Sequence, residues 1–433
     1  MKYDCIIIGG GISGLTCAIK CQSEGLRCAV VSSGMGALHF SSGSIDLLGY
    51  KDDRRVVYSP FEEMESFTAS HPEHPYARCG VPTIREAFFF LKEQLEKESL
   101  ELFHNGDLNH FHVTALGTLK PSFFSQRSVF SDGIRKAFQD KPRIAVLNFE
   151  GYRDFYPELA VANLKTHSLF RDIELVTGRI VFPDYGDPEK NPFEFRSIDI
   201  ARIFDTEKYL EDIAGQIRKA AAGAAFAGLP AFIGISNYTR HYRILQDLAG
   251  VLIYEIPTLP PSILGMRIDD ALKSRFAALG GIFIAGDKVT EGDTGNGRVN
   301  ALYTENGRNT PLEAGCYVLA TGSFFSGGMV SEFNKIREPV FGLRVHHDDR
   351  HSLWYAPQFL DAGSHPFLEY GVETDGALRP FDAQGRTLEN LYCTGALLAH
   401  YNPLKEGSGG GVAVSTGYLA AASIVKECRG RHD

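Results

Sequence analysis

Gly9-x-Gly11-x-x-Gly14 follows directly on an apolar run at residues 5–8 and opens a helical pattern. Strand, glycine turn and helix in that order suit the holding of phosphate. Gly9 permits the tight turn, Gly11 lets backbone N–H groups approach a pyrophosphate, and Gly14 lets the helix pack close to the strand. Gly10, Ile12 and Ser13 complete the cradle, at a helix N-terminus whose dipole favours anions. The second strand, residues 26–31, ends on Ser32-Ser33, where dinucleotide-binding turns usually place an acid for the ribose hydroxyls. Either serine oxygens meet the ribose, or there is no adenosine to hold.

Two more strands end on glycine. Residues 316–319 run into Ala320-Thr321-Gly322, and residues 390–393 run into Thr394-Gly395. Gly409-Gly410-Gly411 then opens an apolar helix at Val412, whose first amides are expected to face a ligand over the sheet edge. One crevice suffices for a nicotinamide. Three, with helix-terminal amides able to stabilise the charge of a reduced isoalloxazine, point to a flavin.

Alcohol oxidation at a flavin also needs a base of suitable pKa. His39, in a loop with Ser41, Ser42 and Gly43 expected to cover the ring, and His400 are the candidates. A phosphorylated substrate needs arginines for bidentate contacts, and Arg267, Arg337 and Arg344 follow loops expected to face the cleft. His346-His347-Asp348-Asp349-Arg350-His351 has the composition of a metal cluster but no ligand spacing on a shared helix, so it reads as a solvated loop and no metal is expected. The eight cysteines form no CxxC pair and no ferredoxin-like run, which excludes an iron–sulfur cluster in this chain by pattern.

The elements that must position these residues make an α/β chain. Its length of 433 residues allows two or three domains, and a net charge of -9 argues against a nucleic-acid partner. No secretory signal is expected ahead of the first strand, and the weakly polar stretch 220–236 is too short and Gly-rich to span a bilayer. That stretch reads as a helix end, a turn at residues 228–230 and a buried strand at 231–235. Residues 46–82 read as loop, 84–98 as helix, 143–149 as a buried strand, and 289–305 as a meander turning at Gly295-Asn296-Gly297. The three glycine endings are expected at the carboxyl edge of one parallel sheet. A flavin-binding domain of residues 1–75 and 266–433 would then enclose an inserted substrate or partner domain of residues 76–265.

GGGISGL at residues 9–15, GALHFSSGSIDLL at 36–48, PTLPPSILG at 257–265, ATGSFFSGG at 320–328 and GSGGGV at 407–412 carry a resemblance. From residue 1 to about 425 the chain resembles the B subunits of bacterial anaerobic glycerol-3-phosphate dehydrogenases. The resemblance implies a glutathione-reductase-like flavoprotein fold with FMN, which has no adenosine ribose and so no need of an acid at Ser32; FAD with a serine contact is the alternative. It further implies a catalytic pair with a second flavoprotein, the A subunit. An iron–sulfur C subunit would anchor the complex at the cytoplasmic face of the inner membrane. The activity implied is oxidation of sn-glycerol 3-phosphate to dihydroxyacetone phosphate, with electrons passed toward quinone. The other reading is an electron-transfer or scaffolding flavin subunit of the same complex.

Overall fold

A computed structural model describes residues 3–140, 143–181, 195–307, 310–333, 335–361 and 363–430. The chain divides into two compact units. The first comprises residues 1–37, 46–98 and 269–433, and the second residues 38–45 and 99–268.

The first unit is built on a five-stranded parallel sheet. Its strands are β1 (Tyr3–Ile8), β2 (Cys28–Ser32), β3 (Ile282–Ala285), β4 (Ala314–Leu319) and β5 (Leu391–Cys393), in the order β3-β2-β1-β4-β5. Cys5 pairs with Cys28 on one side and Cys316 on the other, and Ile8 pairs with Val31 and Leu319. This level register brings the carboxyl ends of the three central strands to one edge. The central strand is apolar and buried at Cys5, Ile6, Ile7 and Ile8, as a strand covered on both faces must be. The helices α1 (Ile12–Ser23) and α2 (Pro75–Glu96) both pack against α3 (Gly409–Gly430). The expected turn at Asn296-Gly297 is present: both residues have positive φ, joining antiparallel strands Val289–Gly295 and Arg298–Thr304.

The second unit holds a four-stranded parallel sheet ordered Leu252–Ile256, Phe226–Pro230, Ile144–Phe149, Leu175–Ile180. Its core gathers Phe149, Phe204, Phe226, Phe232 and Tyr254.

Three local expectations change. The buried strand expected at 231–235 lies at 226–230 instead and takes in the expected turn at 228–230; Gly228 lies beside Tyr254 on the neighbouring strand, and only its bare Cα leaves room for that ring. Pro230 sits at the strand's end, where a missing N–H costs least. Pro60–Ser70, read as loop, is a helix with Pro at its first position, Glu62 and Glu63 in its first turn, and Phe61, Met64 and Phe67 buried. The unit boundaries also differ from the expected division. Residues 76–98 lie in the first unit, where α2 packs on α3, and residues 38–45 lie in the second, where Ile45 bridges Phe124.

Candidate functional site

The glycine turn divides its labour. Gly9 has φ +114°, and a Cβ there would lie 2.2 Å from the Ala320 carbonyl oxygen. A Cβ at Gly14 would lie 2.1 Å from the Gly9 oxygen. These two glycines serve the packing of the chain on itself. Gly11 differs: no atom lies within 4 Å of where its Cβ would be, and it caps α1 without a side-chain bond. Leu15 N–H donates to the Gly11 oxygen, so the amides of Ile12, Ser13 and Gly14 precede the helical ladder and are available to an anion.

Ser32 is buried at the end of β2 beside Gly10, and its hydroxyl donates to the Gly34 carbonyl at 3.0 Å. Ser33 is exposed. The other two glycine endings converge on the same turn. Gly9 abuts Ala320 and Thr321, and a Cβ at Gly395 would lie 2.9 Å from that of Ser13. The hydroxyl oxygens of Ser13, Thr321 and Thr394 are buried and find no hydrogen-bond partner among the described residues. Gly322 follows with φ +80°. Open space at Gly11, unladdered amides and orphaned hydroxyls fit a phosphorylated flavin.

The start of α3 requires a correction. Gly411 N–H donates to the Asp46 carbonyl at 2.7 Å, and Val412 N–H donates to the Ser408 carbonyl at 2.9 Å. A Cβ at Gly411 would lie 2.0 Å from the Tyr76 hydroxyl oxygen, so this glycine answers to packing. Of the amides expected to face a ligand, that of Gly410 remains without a protein acceptor among the described residues, with that of Gly409 beside it.

Five candidate residues lie in the second unit. Ser41 closes its own loop, donating to the Leu38 carbonyl and accepting from Gly43 N–H. The Ser42 and Ser44 hydroxyls bond at 2.6 Å, and the Lys120 ammonium donates to both. Gly43, at φ +69°, presses against Leu264. His39 is buried, and its carbonyl accepts from Ser262 N–H.

Arg267 is not available to a substrate. It is 2% exposed and binds Glu255 through two bonds of 2.6 and 3.0 Å, while its Nε donates to the Gly234 carbonyl. Burial alone would raise the Glu255 carboxyl; Arg267, Ser128 and the Ile233 amide outweigh it and leave it below the ordinary value. Arg337 is a half-exposed surface residue paired with Glu332 at 2.7 Å.

His400 and Arg344 do come together. With Glu73, Arg78 and Glu373 they line a pocket of about 210 Å³ in the first unit. Short backbone bridges build it. Strand Val345–His346 pairs with Gly371–Val372, Ala399 N–H donates to the Val372 carbonyl, and His400 N–H donates to the Glu369 carbonyl. His400 has φ +67°, and its ring lies 4.3 Å from that of His346. Burial pushes its imidazole pKa down; His346 and Arg78 add to this, while Glu73 and Glu373 oppose it. Arg344 Nε binds Glu373 at 2.6 Å, and Arg78 has no carboxylate partner among the described residues. Arg78, Glu73 and Glu373 had no signature in the sequence, because two segments about 300 residues apart supply them. His346 had one, in the histidine-rich run, but its partners lie elsewhere in the chain.

Among the described residues no helix is long and apolar enough to cross a membrane. Comparison with known proteins agrees with the glycine geometry. A family model described as an FAD binding domain matches residues 4–412. The expectation of FMN is thereby supported only as far as a flavin. A protein of Aliivibrio fischeri, named as the B subunit of anaerobic glycerol-3-phosphate dehydrogenase, is 37% identical over 99% of this chain and 96% of its own. One of the same name from Vibrio cholerae serotype O1 is 38% identical, over 98% and 97%. Among solved structures, 3-ketosteroid delta1-dehydrogenase from Sterolibacterium denitrificans covers 98% of this chain and 100% of its own at 11% identity, with a TM-score of 0.47. The resemblance first seen in the short motifs thus extends over nearly the full length. The chain belongs to the family of anaerobic glycerol-3-phosphate dehydrogenase B subunits, which are flavin-linked oxidoreductases.

Proposed function

We propose that this chain oxidises sn-glycerol 3-phosphate to dihydroxyacetone phosphate as the B subunit of an anaerobic respiratory dehydrogenase, on a glutathione-reductase-like flavoprotein scaffold. The observation that carries the reading is the pocket that unites Arg78, Arg344 and His400 in the same unit as the glycine strand ends. Arg78 and Arg344 bind the phosphate dianion, as planar guanidinium groups suit its oxygens. His400 stands at the end of the pocket that receives the secondary hydroxyl. The flavin, when bound, supplies the two-electron acceptor. Ser13, Thr321, Thr394 and the amides after Gly11 hold it. We favour FAD over FMN, because the matching family model is that of an FAD binding domain and the turn retains open space at Gly11. Electrons then pass toward quinone through a second flavoprotein, the A subunit, and through an iron–sulfur C subunit at the cytoplasmic face of the membrane.

The test is anaerobic mixing of the flavin-loaded chain alone with glycerol 3-phosphate. Bleaching of the flavin absorbance within one turnover is expected. A flavin that stays oxidised, yet is reduced when the partner flavoprotein is added, would make this chain a relay and remove the pocket's catalytic role.

A further inference from the structure

His346, Glu373 and His400 lie on three different segments, joined by the pairing of Val345–His346 with Gly371–Val372 and by the bridge from Val372 to Leu398. One nitrogen from each ring and one carboxylate oxygen all lie within 4.8 Å of one another. The ring nitrogens of His346 and His400 have no hydrogen-bond partner among the described residues. His400 Nδ1 also faces Glu73 Oε2 at 3.8 Å, longer than a hydrogen bond, and two half-buried imidazoles beside the Glu373 carboxylate make a set of donors that a cation would satisfy.

We propose that His346, Glu373 and His400 together bind a divalent first-row transition-metal ion. Two histidines and a carboxylate form a donor set suited to such ions, and three protein ligands leave coordination positions open. Arg344 supports the arrangement: it holds the Glu373 carboxylate through Oε2 at 2.6 Å, as metal-ligating carboxylates are commonly anchored. The side chains of Glu373 and His400 are each 22% exposed, and both line the pocket, so the open positions face it.

The pocket's charges are consistent with an ion. Glu73 and Glu373 balance Arg78 and Arg344, so an added dication is matched by one phosphate dianion. Resting on the function proposed above, the ion takes the substrate hydroxyl oxygen as a ligand and makes that O–H more acidic. His400 then meets the hydroxyl through the metal.

The test uses cobalt(II) as probe on the full chain, followed by equilibrium dialysis and visible absorption. One saturable cobalt per chain is expected, with at least tenfold weaker binding in His346→Ala and in Glu373→Gln, both checked for native circular dichroism. Absence of saturable binding, or wild-type affinity in both variants, overturns the proposal. Should the variants misfold, histidine ring signals of the native chain decide: cobalt must broaden two of them, and broadening of none overturns the site. Cobalt bound stoichiometrically but indifferent to glycerol 3-phosphate upholds the metal site and removes only the substrate reading.

Discussion

Gly14 stands so close to Gly9 that a Cβ on the first would lie 2.1 Å from the carbonyl oxygen of the second. The first helix and first strand therefore meet at a distance that only glycine allows. Gly11, in the same turn, has open space beside it. Gly14→Ala is thus expected to destabilise the first unit by about 1–3 kcal/mol or more through overpacking. Gly11→Ala should stay within about 0.5 kcal/mol of wild type, as substitutions free of contacts do, yet lose most of its flavin. Thermal melts and flavin absorbance after gel filtration separate the two effects. Full flavin occupancy in Gly11→Ala would show that phosphate does not lie on this turn.

The two arginines of the pocket are expected to govern substrate affinity. Arg78→Ala removes a charged hydrogen-bonding group worth about 1.5–3 kcal/mol, which corresponds to a rise of roughly 10- to 100-fold in KM for glycerol 3-phosphate. Arg337→Ala, on the surface with Glu332, should leave KM unchanged. Steady-state kinetics with an artificial electron acceptor make the comparison, and equal effects would move the phosphate away from the pocket.

Arg267→Ala should fail differently. It leaves the Glu255 carboxylate buried without its partner, at a cost of about 3–5 kcal/mol. A denaturant midpoint lowered accordingly, with KM unaffected in whatever protein remains folded, is the expected pattern. A raised KM at unchanged stability would return Arg267 to the substrate site.

At the start of α3 the structure separates neighbours that look alike in sequence. Gly411→Ala drives a methyl group into the Tyr76 hydroxyl and is expected to cost stability. Gly410→Val should instead lower the flavin midpoint potential, by roughly 30 mV for each 1.4 kcal/mol of lost stabilisation of the reduced form. Spectroelectrochemical titration reads this directly. An unmoved potential in Gly410→Val, with flavin bound, would mean that the amide does not face the ring.

The second unit carries a pH-dependent element. His110 is buried against Phe130 and shares a 2.8 Å hydrogen bond with Ser125; burial, with Lys120 and His104 adding, pushes its pKa down to about 3. Since the folded value lies below that of the unfolded chain, this stability is fully present above about pH 6.5 and is lost as pH falls toward 3. Between pH 7 and pH 5 His110 should account for a loss of about 2 kcal/mol. Urea midpoints at the two values, for wild type and His110→Gln, measure it. An equal pH dependence in both would place the titration elsewhere.

Local grammar was enough for much of this protein. The first βαβ unit, the Asn296-Gly297 hairpin and the glycine-ended strands were legible because each is set by neighbours in sequence: an apolar run, a turn residue, a helix start. Pro60–Ser70 had its signals too, in Pro60, Glu62 and Glu63, but a proline-rich setting masked them. Tertiary structure alone decided which polar groups are available. Arg267 and Arg344 look alike in the sequence, yet one is sealed against Glu255 and the other opens on a pocket, because the partner of each lies on another segment. Gly410 and Gly411 likewise diverge only where Asp46 and Tyr76 arrive. His346, Glu373 and His400 meet only through paired backbone segments far apart in the chain. Spacing along a chain reports local geometry; burial and pairing depend on contacts that spacing does not encode.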